Sequence, residues 1–421
     1  MTQPHPLHLD LDRIEAAISA RENIHYGRFG SLLLTSAFQP IFSLAHRKRI
    51  GSEGLLRAFS RSGEPVSPVD MFAAISDERQ GIYLDRLCRT LHLRNALPLM
   101  ADEWLFLNIN PDTAVRGKHY GAFFGELLAR YQCPGCRIVA EIVEAAFQQE
   151  AMLADAVQYY RALGCLVAID DFGAGHSNFD RIWHLQPDIV KLDRSMIVEA
   201  ARSPKVRRLM PRIVSLLHEA GSLVLMEGVE TEREALIAVE ADVDFVQGYF
   251  FGRPEWGGRP VSQPDFDALC GRFMQASETQ SLQRRDYIAA FLQPFEQAVR
   301  DYAASGDARH ACGALLDMAN VQRCYVIDQQ GNQLGQNLNR RVRASDPRFG
   351  PISDAAGANW FRRPYLRRAL EAPGTIQITR PYLSIADSSM CVTLSMSVRR
   401  EGRLEVLCCD LDWIEEDLNA A

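Results

Sequence analysis

Between Ala37 and Phe251 the chain repeats one unit: a short apolar run, one or two polar residues, a helical stretch, then another apolar run. The runs are AFQPIFSL, RIGSEGLLRAF, WLFLNI, RIVAEIV, CLVAIDD, DIVKLD, SLVLMEGV and DFVQGYFF. Most are continuously apolar instead of alternating, the pattern of strands covered on both faces. Helical stretches such as Ala151–Leu163 and Arg207–Glu219 separate them, an order that implies a parallel sheet with crossover helices. Eight strands in roughly 220 residues suit a (β/α)8 barrel of the TIM type, whose usual size is about 250 residues. A doubly wound open sheet is the alternative. The link AHRKR between the first two runs is too short for a helical crossover. The first strand is therefore expected antiparallel to the second, a departure from the ideal barrel.

Polar groups recur at the ends of these runs: Glu53, Asn108, Glu141, the doublet Asp170 and Asp171, Lys191, Glu227 and Gln247. In a barrel the strand ends converge on one rim, where barrel enzymes place their sites. One such residue is as often a loop residue or helix cap; eight in consecutive order point to a site. Five convergent carboxylates cannot share a pocket without positive charge. Oxygen donors from Asp, Glu, Asn and Gln, with no His or Cys among them, suit Mg²⁺ or Mn²⁺. Two such ions would activate a water and neutralise charge on a phosphoryl oxygen. Neighbouring strand residues face opposite ways, so Asp170 and Asp171 are expected to serve the two ions from opposite sides. Gly173 and Gly175 let the following loop turn tightly.

The rhythm stops after FFGRPEWGGRPVSQP, where glycines and prolines mark a domain edge. The expected organisation is a barrel over residues 1–260, a connecting helix over 277–304 and a smaller α+β domain over 305–421. The helix carries one apolar stripe through Leu282, Tyr287, Phe291, Phe295, Val299 and Tyr302. The last part contains the strand candidates RCYVIDQQGNQLG, GTIQITRPYL, CVTLSMSV and LEVLCCDLDW, with tight turns at Gln330-Gly331 and Glu401-Gly402. An antiparallel sheet flanked by helices follows from that order. A further amphipathic helix is expected over Asp10–Ala20.

With 421 residues, 47% hydrophobic and 24% charged, the composition is that of a globular protein. A net charge of −7 speaks against a nucleic-acid polymer as partner, since such proteins carry a basic stripe. The first ten residues lack the basic and apolar regions of a signal peptide. No apolar run reaches the roughly 18 residues of a membrane span. The ten cysteines are mostly scattered singly, which reads as reduced, cytoplasmic usage. Cys133-Pro-Gly-Cys136 precedes a strand and lacks a second pair, so it reads as loop residues, not a redox or zinc site.

The motifs EGLLR, DDFGAGHSN, EGVET and QGYFFGRP, in this order across Phe38 to Pro254, resemble those of bacterial EAL-type cyclic di-GMP phosphodiesterases. The resemblance implies hydrolysis of cyclic di-GMP to linear pGpG. It implies that Glu53, Asn108, Glu141 and Asp170 hold a first metal and Asp171 a second, with Asp170 between them. Glu227 and Gln247 match further metal-site positions, Glu227 also as a candidate base, and Lys191 matches the lysine beside the attacking water. Arg57 matches a phosphate contact and Gln39 a nucleotide contact, while Glu144 matches a glutamate bracing the DDFG loop. Gly54 replaces the signature alanine, Met226 stands where alanine is common, and Asn178 and Phe179 vary the loop; none of these supplies a ligand. His176 and His184, both in or beside a loop, are not counted in the site. Lys191 has a plainer alternative, a surface pair with Asp193, and Arg57 a role as a structural clamp. A homodimer is also implied.

GANWFRRPYLRRAL followed by RPYLSIADSSMCVTLSMSV resembles the PAS-like or Cache-like domain behind EAL domains in YkuI-type proteins. It implies a sensor for an unknown small ligand, with Trp360, Arg363, Tyr365, Tyr382 and Asp387 as pocket candidates; core packing is the alternative for the aromatic residues. Two other functions compete with the enzyme: a non-hydrolysing cyclic di-GMP receptor, and a dimeric signalling scaffold.

Overall fold

The computed structural model describes residues 9–98, 102–109, 123–143, 150–174, 179–256, 263–339, 355–385 and 389–413. They divide into two compact units between Met274 and Gln275.

In the first unit, the strands are β1 Ile18–Arg21, β2 Ile24–Phe29, β3 Leu32–Ser43, β4 Lys48–Phe59, β5 Pro65–Val66, β6 Trp104–Ile109, β7 Ile138–Val143, β8 Leu166–Phe172, β9 Ile189–Leu192, β10 Leu223–Met226, β11 Phe245–Val246 and β12 Glu255–Trp256. The order β3-β11-β10-β9-β8-β7-β6-β4, with β4 paired back to β3, closes an eight-stranded barrel. Strand β3 is antiparallel to both neighbours, β4 and β11; all other barrel pairs are parallel. The open-sheet alternative is excluded by that closure.

The barrel floor is a layer of apolar side chains, one from nearly every strand: Ile41, Phe106, Val139, Ala168, Ile189, Leu225 and Phe245. A strand turns every second side chain to the same face. Two residues beyond each floor residue, a polar side chain must therefore enter the same interior one level higher. Those residues are Asn108, Glu141, Asp170, Lys191, Glu227 and Gln247, and on reversed β3 the step runs backwards to Gln39. The apolar layer thus excludes water below the site and sets the height of its polar groups. Phe106 is fully buried, and Phe106→Ala would cost about 3–5 kcal/mol. Helices cover the outside of the barrel through Leu87, Leu91, Tyr160, Met210, Val214 and Ile237, among others.

At the amino end the expected helix is cut short. Asp10 caps a single turn, Leu11–Glu15, and β1 follows at Ile18. Glu22 and Asn23 both take positive φ (49° and 67°), the geometry of a two-residue hairpin turn, which pairs β1 with β2. Packing on the edge of β3 outweighs the local helical pattern.

The helix Phe266–Ser305 begins earlier than the expected Ser277 and runs through Pro294. In the second unit, its residues Ile288, Phe291, Phe295, Val299 and Tyr302 pack on one face of a six-stranded antiparallel sheet. That sheet contains β13 Val321–Asp328, β14 Gln333–Leu338, β15 Gln377–Ile378, β16 Tyr382–Leu383, β17 Met390–Arg400 and β18 Arg403–Asp412. Glu401 and Gly402, both at positive φ, turn β17 into β18. Against Tyr325, Ile327, Val406 and Cys408 packs the helix Pro364–Glu371, through Tyr365, Leu366 and Ala369.

Candidate active site

Lys191 lies at the centre of the carboxyl rim with its side chain 1% exposed. Its Nζ is 2.5 Å from Glu141 Oε1, 2.6 Å from Glu227 Oε1 and 3.0 Å from Asp170 Oδ1. Three carboxylates thus surround its single positive charge. Burial opposes the charge on Lys191, yet Asp170, Glu141 and Glu227 outweigh it and hold its pKa well above the usual lysine range. The pairing with Asp193 does not form: Asp193 caps the helix Arg194–Arg202 through the Ser195 amide.

A second hydrogen-bonded group adjoins this one. Glu53 accepts from Asn108 Nδ2 at 2.8 Å and from Gln247 Nε2 at 2.7 Å. Gln247 Nε2 also approaches Gln39 Oε1 at 3.4 Å, and Gln39 Nε2 donates to the Gly252 carbonyl at 3.3 Å. Register explains the neighbours: Gln39 is opposite Glu53 on β3 and β4, and Asn108 is beside Glu141 on β6 and β7. Arg57, half-buried one turn of pleat higher on β4, donates from Nη1 to its neighbour's carbonyl at Leu56.

The aspartate doublet departs from strand alternation. Pairing of β8 with β9 slips between Ile169 and Phe172, and Asp171 takes φ +59°. The left-handed residue is a bulge that re-aims its side chain. Asp170, Asp171 and Glu227 consequently each offer an oxygen within 4.8 Å of the others'. Both aspartates serve one spot, not two opposite faces. Gly173, at φ +104°, continues the turn where a Cβ would meet Met196 Sδ at 2.3 Å.

Five carboxylates therefore gather at the rim, three of them on one buried ammonium. Burial raises the pKa of Glu141 and, with Asp170 beside it, that of Asp171. Burial pushes Glu227 up to about 8, against the pull of Lys191. Glu141 Oε2 and Gln247 Oε1 are buried acceptors with no hydrogen-bond donor. Buried oxygens lacking donors are costly, and the remedy that fits this oxygen-only set is a hard divalent cation. The residues present fit Mg²⁺ or Mn²⁺.

Gly54 has a spatial reason: a Cβ there would lie 3.1 Å from Cγ of His92. His92 is buried behind the rim with Nδ1 2.8 Å from Ser36 Oγ. His184 Nδ1 bonds the Asp180 carbonyl within its own helix. Glu144 and His176 lie outside the described residues.

The second unit has a cavity of about 270 Å³ on its sheet, bordered by Trp360, Arg363, Tyr365 and Tyr382. Asp387 lies outside the described residues. Sequence reasoning missed the cavity's floor, Arg323 and Asp410, although each is a charge inside an apolar strand. Arg323 Nε is 3.1 Å from Asp410 Oδ2; Asp410 Oδ1 also accepts from Thr393 at 2.7 Å and Tyr325 at 3.2 Å. Arg363 stands over the rings of Tyr382 (5.5 Å) and Trp360 (6.0 Å), and no carboxylate of a described residue pairs with it.

A family model described as EAL domain matches residues 30–254. The uncharacterized EAL-domain containing protein YkuI of Bacillus subtilis is 27% identical over 341 residues, 78% of this chain and 82% of that protein. The cyclic di-GMP phosphodiesterase PdeF of Escherichia coli is 29% identical over 225 residues, 52% of this chain but 29% of that protein. An uncharacterized protein of Azorhizobium caulinodans is 29% identical over 254 residues, and the matched part spans 34% of its length. The crystal structure of Bacillus subtilis YkuI, described as a complex with substrate c-di-GMP and calcium, superposes with a TM-score of 0.76 at 24% identity, covering 91% of this chain and 97% of that one. The closed barrel with its reversed first strand, the acidic rim and the matched motifs agree: the chain belongs to the EAL domain family.

Proposed function

We propose that the barrel is a divalent-cation-dependent phosphodiesterase that hydrolyses cyclic di-GMP to linear pGpG, under control of a small ligand in the second unit. The observation that carries this reading is the charge deficit at the rim, five carboxylates around one lysine, with buried acceptors lacking donors. Glu53, Asn108, Glu141 and Asp170 would hold one ion, Asp170 and Asp171 a second, with Glu227 and Gln247 as further donors. Bound Mg²⁺ or Mn²⁺ supplies Lewis acidity toward water and neutralises charge at the scissile phosphodiester.

The chain's own groups do the rest. Lys191 keeps Glu141, Asp170 and Glu227 converged, and its fixed positive charge favours a developing anion. Glu227, the most exposed carboxylate of the three on Lys191 at 20%, takes the proton from the attacking water in this reading. Arg57 spends one donor on a backbone carbonyl and keeps the others for phosphate oxygens. Gln39, tied to Gly252, orients the nucleotide. The apolar floor excludes water from below and strengthens each of these interactions. In the second unit Arg323 pairs with Asp410 in the cavity floor, and Arg363 stands at its border over the rings of Tyr382 and Trp360, a setting that suits a small anionic ligand. The protein works as a cytoplasmic homodimer in this reading.

The test is incubation of the full chain with cyclic di-GMP and Mg²⁺ or Mn²⁺, with chromatography of the products and EDTA and Glu53→Gln as controls. Linear pGpG formed only by the wild-type chain with metal is the expected result. Tight binding of intact cyclic di-GMP without product would replace the hydrolase with a receptor.

A further inference from the structure

Over residues 355–385 the chain carries Arg362, Arg363, Arg367, Arg368 and Arg380 against a single acidic residue, Glu371. The whole protein has a net charge of −7, so this stretch reverses the sign of the rest. The same stretch leaves large apolar side chains in water: Phe361 and Leu383 are each 59% exposed and Ile385 is 48% exposed. Apolar groups exposed together, beside arginines, mark an interaction surface more often than a bare one.

The fold brings both kinds of side chain to one face. The helix Pro364–Glu371 spends Tyr365, Leu366 and Ala369 on the sheet, which leaves Arg367 and Arg368 exposed on its outer side. Tyr365 stacks on Tyr382 with centroids 6.2 Å apart, so β16 runs beside the start of this helix and presents Leu383 there. Arg363 N donates to Trp360 O at 2.8 Å, a tight turn with Phe361 and Arg362 at its tip. The turn is fixed from below: Trp360 N donates to Gly331 O at 2.7 Å, and a Cβ on Gly331 would lie 2.7 Å from Phe361 N. The Arg363 guanidinium, over the rings of Trp360 and Tyr382, joins that turn to β16. Among the described residues, no carboxylate contacts Arg362, Arg367 or Arg368.

We propose that this face of the second unit docks on an anionic membrane surface, with Phe361 and Leu383 entering the headgroup layer and Arg362, Arg367 and Arg368 meeting lipid phosphates. A guanidinium suits phosphate oxygens because its paired N–H groups match their geometry. A ring and a leucine at the level of the arginines are the apolar half of an interfacial contact. Each half is weak alone, and together they hold a protein reversibly to acidic lipid. No helix among the described residues is long and apolar enough to cross a membrane, so the contact is peripheral. Phe361 and Leu383 project from a turn and a two-residue strand and line no groove. That gives a partner helix no seat, while a fluid surface needs no matching shape. The proposal concerns the second unit alone and does not depend on the reaction in the barrel.

The experiment is co-sedimentation of the full chain with vesicles of phosphatidylcholine, or of phosphatidylcholine mixed with phosphatidylglycerol. The wild-type chain is expected on the anionic vesicles only, with an affinity that falls as salt rises. The triple change Arg362→Gln, Arg367→Gln and Arg368→Gln should weaken it about hundredfold, and Phe361→Ser with Leu383→Ser about tenfold. All five side chains are exposed, so both variants should fold, which circular dichroism checks. Phe361→Trp reads depth: brominated acyl chains should quench it beyond the quenching of the five native tryptophans. No sedimentation with anionic vesicles, an affinity unchanged in the triple variant, or no added quenching at position 361 would overturn the docking face. Binding to polyglutamate with none to vesicles would overturn it in favour of an acidic protein. Self-association lost in the variants, again with no vesicle binding, would give the face to a second copy of the chain.

Discussion

Both units bury charge, but they balance it differently. In the second unit the buried Arg323 meets the buried Asp410, and Asp410 also accepts from the hydroxyls of Tyr325 and Thr393. At the barrel rim one lysine faces Glu141, Asp170 and Glu227, while Glu53 and Asp171 have no cation of their own in contact among the described residues. A cation and an anion paired in this way contribute to specifying the fold. An open set is stable only as far as protons or cations complete it, which is the property of a metal site. The difference is one of charge balance: a one-to-one contact in the second unit, and three carboxylates on one lysine at the rim.

The largest test of this contrast is Lys191→Met. Removing the cation that Glu141, Asp170 and Glu227 contact should destabilise the barrel by about 4–5 kcal/mol in metal-free buffer, and Mn²⁺ should restore part of the loss by binding only the folded form. Hydrogen exchange over β8, β9 and β10 reads it; exchange insensitive to Mn²⁺ would mean that the rim does not take the ion. Arg323→Met should cost the second unit about 3 kcal/mol by stranding Asp410, read by exchange over β13 and β18. Here Mn²⁺ should bring no recovery, and a recovery equal to that of the rim would erase the distinction.

The barrel also has a buried neutral base. Burial and the charge of Arg57 push the His92 pKa down to about 4 from 6.5. The unfolded chain then binds the proton first, so His92 contributes fully above pH 6.5 and its contribution is lost as pH falls toward 4. The change is about 3 kcal/mol for a shift of this size. Urea unfolding of wild type and His92→Gln between pH 7 and 4.5 should differ in slope; parallel slopes would show that His92 is not the group responsible. The smallest expected effect is that of Gly54→Ala. Its Cβ crowds His92 at 3.1 Å from Cγ and 3.2 Å from Cβ, which should cost about 1 kcal/mol and fall only in part when His92 is also reduced to alanine, which keeps the Cβ. An equal cost in both backgrounds would place the strain elsewhere.

Much of the barrel was legible before any coordinates. Continuous apolar strands separated by helices specify a covered parallel sheet, and the short AHRKR link specifies the reversed first strand, because both depend on local periodicity and chain reach. The amino-terminal helix was misread for the same reason in reverse: the pattern over Asp10–Ala20 is helical locally, but the turn at Glu22 and Asn23 and an open edge on β3 convert half of it to a hairpin. Arg323 and Asp410 were visible as charges within apolar strands, yet only pairing across β13 and β18 shows that they neutralise each other.

The chain by itself determined which polar residues stand two steps above the floor of the barrel, since a strand's period of two is a property of its backbone. Which of them meet was decided by the tertiary structure alone. For Lys191 the sequence left a surface pair with Asp193 as the alternative to a site role, and the closed barrel brought Glu141, Asp170 and Glu227 onto it instead. Asp171 joined Asp170 and Glu227 only because a register slip against β9 turned it to positive φ. Register and closure are relations between strands distant in sequence, and no local pattern carries them.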